Sequence, residues 1–142
     1  MKKIIIVLTL ILLLTTGCSK KLICTKEDKN DMVQTKETFI VNYKSDTMNS
    51  IQITLNTTIK KGYETYVETV EKNLKEQFQK YEKIKGITVS SNSRDDQVIV
   101  EIFIELNKMS EKDKKKLNFI NLEENYDQLQ KTLEKSKYQC SK

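Results

Sequence analysis

Three cysteines, Cys18, Cys24 and Cys140, carry the most reactive side chains in the sequence, and no histidine accompanies them. Without histidine the commonest general base and the commonest transition-metal ligand are missing, and nothing of that kind stands ready to activate a serine. No CxxC spacing marks a redox catalyst. Among the carboxylates, Glu101 and Glu105 fall on one side of an alternating stretch. At roughly 3.3 Å per residue they stand about 13 Å apart, wider than the ~5–9.5 Å of paired glycosidase carboxylates, so they read as a partly solvated face. Asp95 and Asp96, with Glu27, Asp28 and Asp31, offer oxygen ligands, but no loop alternates such ligands around a central glycine. No metal or other cofactor is expected. Lys112, Lys114, Lys115 and Lys116 form a basic cluster, either a solvated helix face or a contact for anionic lipid headgroups.

The fate of Cys18 depends on what precedes it. Lys2 and Lys3 are followed by an uncharged apolar run from Ile4 to Leu14, then by Thr15, Thr16 and Gly17. A basic start, an apolar centre and a small-residue exit make a secretory signal. Even Ile4 to Thr16 is 13 residues, about 20 Å of helix, short of the ~20 residues that span a bilayer. Ordinary cleavage would release a protein with an unpaired thiol near its N-terminus. Gly17-Cys18 instead resembles the lipobox of bacterial lipoproteins, with Thr15 standing where Leu is most frequent. That resemblance implies a diacylglyceryl group on the Cys18 sulfur, and two acyl chains make a stable anchor. Residues 1–17 are thus expected to be a lipoprotein signal peptide, 18–34 a lipidated N-terminus and tether, and 35–142 one domain.

Removal of residues 1–17 leaves 125 of the 142 residues and takes Lys2 and Lys3 with it, so the formal charge falls from +5 to +3. That length suits one compact domain and a short tether. Arg94 is the single arginine, so the fork that favours phosphate and base-edge recognition is almost absent, and no nucleic-acid partner is expected. The bias toward Lys, Ile and Asn suits an AT-rich genome. Gly62 and Gly86 are the glycines that remain, which excludes a glycine-rich phosphate loop.

The elements that must position these residues follow from periodicity. Residues 19–34 are polar apart from Leu22 and Ile23 beside Cys24, a tether that becomes ordered near Cys24. From Thr35 the period is two. Phe39, Val41 and Tyr43 share one face, Ile51, Ile53, Leu55 and Ile59 share another, and KSDTMN between them suits a turn. This predicts a β-hairpin. After Gly62, Tyr63, Tyr66, Val67, Val70, Leu74, Phe78, Tyr81 and Ile84 recur at spacings of three and four, which predicts an amphipathic helix of about six turns ended by Gly86. A second hairpin runs from Ile87 to Leu106 around NSRDD. Its second strand has Val98, Val100, Ile102, Ile104 and Leu106 on one side and Ile99, Glu101, Phe103 and Glu105 on the other, a pattern of interior strands. Ser110 with Asp113 opens a short helix to about Asn118, and Asn121 with Glu124 opens a last one striped by Leu122, Tyr126, Leu129 and Leu133. The expected fold is α+β: a four-stranded, mainly antiparallel sheet with the long helix across one face, in the order ββαββαα.

The stretch KYEKIKGITVSSNSRDDQVIVEIFIELNKMSEKDKKKLNF is similar to the YehR-like small bacterial lipoproteins, whose domain has no established biochemical function. The likeness lies in the helix-ending Lys-Tyr-x-x-Ile-x-Gly, the alternating strand and the short helix after Lys108-Met109. The resemblance implies a cysteine soon after the tether and another at the extreme C-terminus, places that Cys24 and Cys140 occupy. Both are either free thiols or one structural disulfide clasping the tether end to the last helix. The function expected from these readings is a cell-envelope lipoprotein, held on the extracytoplasmic face of the membrane by lipid on Cys18 and displaying a non-catalytic binding domain. Ile99, Glu101, Phe103 and Glu105 form its candidate contact face for an unidentified envelope partner. An accessory subunit of a membrane complex and an envelope hydrolase are the alternatives.

Overall fold

The computed structural model describes residues 19–141, so the signal segment and Cys18 lie outside the described residues. Six strands form one antiparallel sheet: β1 (Ser19–Lys29), β2 (Val33–Lys44), β3 (Thr47–Ile59), β4 (Ile87–Arg94), β5 (Gln97–Glu105) and β6 (Gln139–Ser141), in the spatial order β4-β5-β3-β2-β1-β6. The helices are α1 (Val67–Gln79), the single turn α2 (Glu111–Lys114) and α3 (Tyr126–Lys135). No helix among the described residues is long and apolar enough to cross a membrane.

The two expected hairpins are present. Phe39, Val41 and Tyr43 of β2, Ile51, Ile53 and Leu55 of β3, and Val98, Val100, Ile102 and Ile104 of β5 are buried on one face. β5 is flanked by β4 and β3, the interior position its two-sided pattern predicts. Each hairpin turns on two residues, with Ser45 and Asp95 at positive φ. Between Asn42–Ser50 and Tyr43–Met48 the β2–β3 register slips by one residue. That bulge at Asn49 returns Met48, 5% exposed, to the core face.

Five expectations are corrected. The sheet has six strands, not four, and the element order is βββαββααβ. Residues 19–29, expected as tether, form β1, which pairs with β2 over its whole length and buries Leu22 and Cys24. Two buried side chains in eleven residues are too few to announce a strand in the sequence, yet the ladder and the bond to β6 make one. The long helix is shorter than its stripe. A 3-10 turn (Glu64–Tyr66) leads into α1, which ends at Gln79. Tyr81, Ile84 and Ile87 then follow at steps of three, their backbone N–H groups donating hydrogen bonds to the carbonyls of Phe78, Tyr81 and Ile84. Finally, α2 stops well before Asn118, and the cap of α3 is Asn125, four residues past the expected Asn121, where Asn125 and Gln128 form a reciprocal capping box.

Both longer helices lie on the core face. α1 covers β4 and β5, and α3 covers β1 and packs beside β6, with Leu129 and Leu133 buried. Among the described residues the other face of the sheet has no helix over it, and they form two layers.

Candidate functional site

Cys24 and Cys140 are directly opposed in the β1–β6 ladder and joined by a disulfide, with Cα atoms 4.0 Å apart. Cys24 is fully buried. The bridge therefore clasps the first described strand to the last, rather than to the last helix, because three further residues at the C-terminus add a strand. Tyr138, just before β6, packs edge-on against Phe39 at 5.6 Å. Burial pushes its phenol well above the usual range, and the adjacent Glu37 carboxylate adds to the rise. Tyr43, near the other end of α3, is raised in the same way by burial and by Glu124; its hydroxyl donates to the Glu124 carbonyl at 3.3 Å. Both phenols pack edge-on against a second ring, Tyr138 on Phe39 and Tyr43 on Tyr126, and read as elements of packing.

The uncovered sheet face carries the expected contact residues. Glu101 is exposed, Phe103 is 39% exposed, and Ile99 and Glu105 are half-buried. Cross-strand register arranges them in rows. Ile23, Ile40, Gln52, Phe103 and Thr88 run side by side across five strands, and the next row is Thr25, Thr38, Thr54, Glu101 and Ser90. Gln52, Thr88, Ser90, Glu101 and Phe103 surround a shallow dimple of about 220 Å³. Ile23 and Ile40 were missing from the sequence-derived face because strand pairing, not spacing along the chain, brings them into the row of Phe103, with Gln52 between. Glu105 is drawn away toward Lys108, at 2.7 Å. The chemistry offered around Phe103 is an apolar-polar surface with the exposed Glu101 carboxylate.

Of the basic cluster, Lys114 and Lys116 are paired with Glu111 and Asp113, each at 2.6 Å. These contacts hold both carboxyls below their ordinary range, with the lysine hydrogen bond as the largest cause in each. Lys112 and Lys115 are exposed and have no ion-pair partner among the described residues. Lys114 and Lys115 border a cleft of about 350 Å³ whose apolar lining includes Met48, Leu106, Leu117, Ile120 and Leu122. Sequence spacing does not reveal this cleft, since the hairpin tip and the segment after α2 are more than sixty residues apart. Among the described residues no group of three or more Cys, Asp or Glu side chains is placed to hold a metal ion. Asp95 and Asp96 sit at the β4–β5 turn, while Glu27 and Asp28 sit in β1.

No protein-family model matches the chain, and no curated protein does. Two solved structures are similar to it. A protein from Streptococcus pneumoniae TIGR4 matches with a TM-score of 0.57 and 16% identity, covering 89% of this chain and 87% of that one. The E. coli YehR protein matches with a TM-score of 0.58 and 15% identity, covering 87% of this chain and 93% of that one. At such identities the likeness is one of fold, and neither neighbour brings a stated activity with it. Over nearly its whole described length the chain thus has the fold of YehR, as the resemblance carried by residues 80–119 implies.

Proposed function

We propose that the protein is a bacterial cell-envelope lipoprotein, anchored on the extracytoplasmic face of the membrane by a diacylglyceryl group on Cys18 and displaying a non-catalytic binding domain. One observation carries the reading. Cys24 and Cys140 are bonded to each other, so the chain is built for an oxidising compartment and Cys18 is the cysteine left over. It follows Gly17 at the end of the apolar run and precedes Ser19, where β1 begins. The sheet face around Glu101 and Phe103 is the proposed contact surface for a protein of the envelope. An exposed aromatic on a face that also carries half-buried Ile23, Ile40 and Ile99 supports that role.

The test is metabolic labelling with palmitate. Wild type should take the label and stay in the membrane fraction through a high-salt wash, which screens lysine–lipid attraction but leaves acyl insertion intact. Cys18→Ser should lose the label and leave the washed membrane. An unlabelled, soluble wild type overturns the anchor. Crosslinking in intact cells from the open sheet face then separates a free-standing binder from an accessory subunit, which would co-purify with one membrane complex in fixed ratio. Stoichiometric labelling of a single serine or lysine by an electrophilic probe would instead indicate a hydrolase.

A further inference from the structure

The sheet end at which β1 begins gathers several separate segments. Ser19 is paired with Lys44, beside the β2–β3 turn. Lys44 and Lys114 border one cleft with Met48 and Leu106, which brings α2 to the same end. The segment 80–86 joins them. A Cβ placed on Gly86 would lie 2.8 Å from the Glu105 carbonyl and 3.1 Å from the side chain of Lys108, and the Tyr81 hydroxyl donates to Asn118 at 3.0 Å.

Charge at this end leans positive, most of all around α2. Glu111, Asp113, Glu105 and Asp46 are each taken up by a lysine. Lys44, Lys83, Lys85, Lys112 and Lys115 are exposed with no ion-pair partner among the described residues, against exposed Glu82, Glu123 and Asp127 and half-buried Glu124. The opposite end mixes signs, with Glu27, Asp31 and Asp96 among Lys29, Lys60 and Lys61. Phe119, following α2, is 37% exposed and meets Tyr81 edge-on at 5.7 Å. An exposed aromatic ring among unpaired lysines suits the headgroup layer of a bilayer.

We propose that this end is a membrane-docking surface, on which Lys112, Lys115, Lys44 and Phe119 rest on anionic lipid headgroups. The proposal builds on lipidation of Cys18. Consecutive Cα atoms are about 3.8 Å apart, so an acyl anchor one residue before β1 leaves the domain no tether and holds this end at the bilayer surface. Docking in turn fixes which way the open sheet face points, upright beside the membrane rather than against it.

The test is amine-acylation footprinting of the full-length protein on vesicles of phosphatidylglycerol with phosphatidylcholine, and on phosphatidylcholine alone. Lys112 and Lys115 should react about fivefold more slowly on the anionic vesicles, with Lys29 and Lys61 unchanged between the two. The exposed double variant Lys112→Glu/Lys115→Glu should keep its disulfide and lose the slowing at Lys44. Equal reactivity of Lys112 and Lys115 on both vesicles, or equal slowing at Lys29 and Lys61, overturns the proposal. Intact mass reads lipidation separately. If wild type carries no lipid, the anchor fails, and the same footprint on the unlipidated chain mixed with vesicles still decides docking, with slowing supporting it and no slowing overturning it.

Discussion

Cys24 and Cys140, separated by 116 residues in sequence, stand directly opposite one another across the β1–β6 ladder, with Cα atoms 4.0 Å apart. One covalent bond therefore closes almost the whole domain into a loop. It does so between a strand fully paired on its other side and a strand of three residues.

A loop of that length is worth about 4–5 kcal/mol in the chain-entropy picture, before any native strain is subtracted. Replacing both cysteines by alanine should lower Tm by about 10–20 °C while leaving the β2–β3–β5 ladder folded. Thermal unfolding with and without reductant checks it. A variant that melts with wild type would show that β6 adds little.

Gly86 and Gly62 both have positive φ, at 93° and 95°, yet their surroundings differ. A Cβ on Gly86 meets the Glu105 carbonyl at 2.8 Å, where the Gly86 carbonyl also accepts from the Glu105 amide, whereas nothing lies within 4 Å of one on Gly62. Gly62→Ala should cost about 1 kcal/mol for backbone conformation alone. Gly86→Ala should cost at least about 2 kcal/mol, because β5 or the segment before β4 must move. Equal costs in urea denaturation would contradict this placement of Gly86.

Ile102 and Phe103 are neighbours in β5 on opposite faces, 1% and 39% exposed. Ile102→Ala should destabilise by about 2–5 kcal/mol. Phe103→Ala should cost less than about 1 kcal/mol, since much of its ring already meets solvent. The same substitution should abolish crosslinks formed from the open sheet face. A Phe103 cost approaching that of Ile102 would mean that the face is covered.

Tyr43 and Tyr138 have folded-state pKa values raised above the ordinary phenol, chiefly by burial, with Glu124 and Glu37 respectively adding to the shift. The unfolded chain therefore loses these protons first, near pH 10, and the folded state holds them longer. Stability from this source is fully present below about pH 10 and falls as pH rises above it. Absorbance titration should show Tyr43 and Tyr138 ionising late, together with alkaline unfolding. Tyr43→Phe and Tyr138→Phe should each flatten the alkaline loss of stability. An unchanged slope would show that neither phenol is held neutral by the fold.

The strands whose alternation buries three or more large side chains were readable. Phe39-Val41-Tyr43, Ile51-Ile53-Leu55 and the run from Val98 to Ile104 all face the core. The mixed face of β5 was readable too, because Glu101 and Phe103 break an otherwise apolar strand. β1 was not readable. Its outer neighbour covers only Ile23 to Thr25, so most of the strand is solvated, and solvated positions take lysine and aspartate as freely in a strand as in a tether.

Sequence alone determined the β2–β3 and β4–β5 hairpins, the apolar stripe of residues 63–84 and the presence of an odd cysteine, since each rests on the period of side chains along one segment. Only tertiary structure decided where the stripe stops being a helix. A bond from residue i+3 to residue i repeats at three, close to the 3.6 of the α-helix, so Tyr81 and Ile84 are buried either way and their spacing is blind to the difference. Strand count and the rows of the open face were likewise decided by pairing between distant segments. A three-residue strand such as β6 has no period of its own. It is a strand because Cys24, already held in the sheet, binds it there.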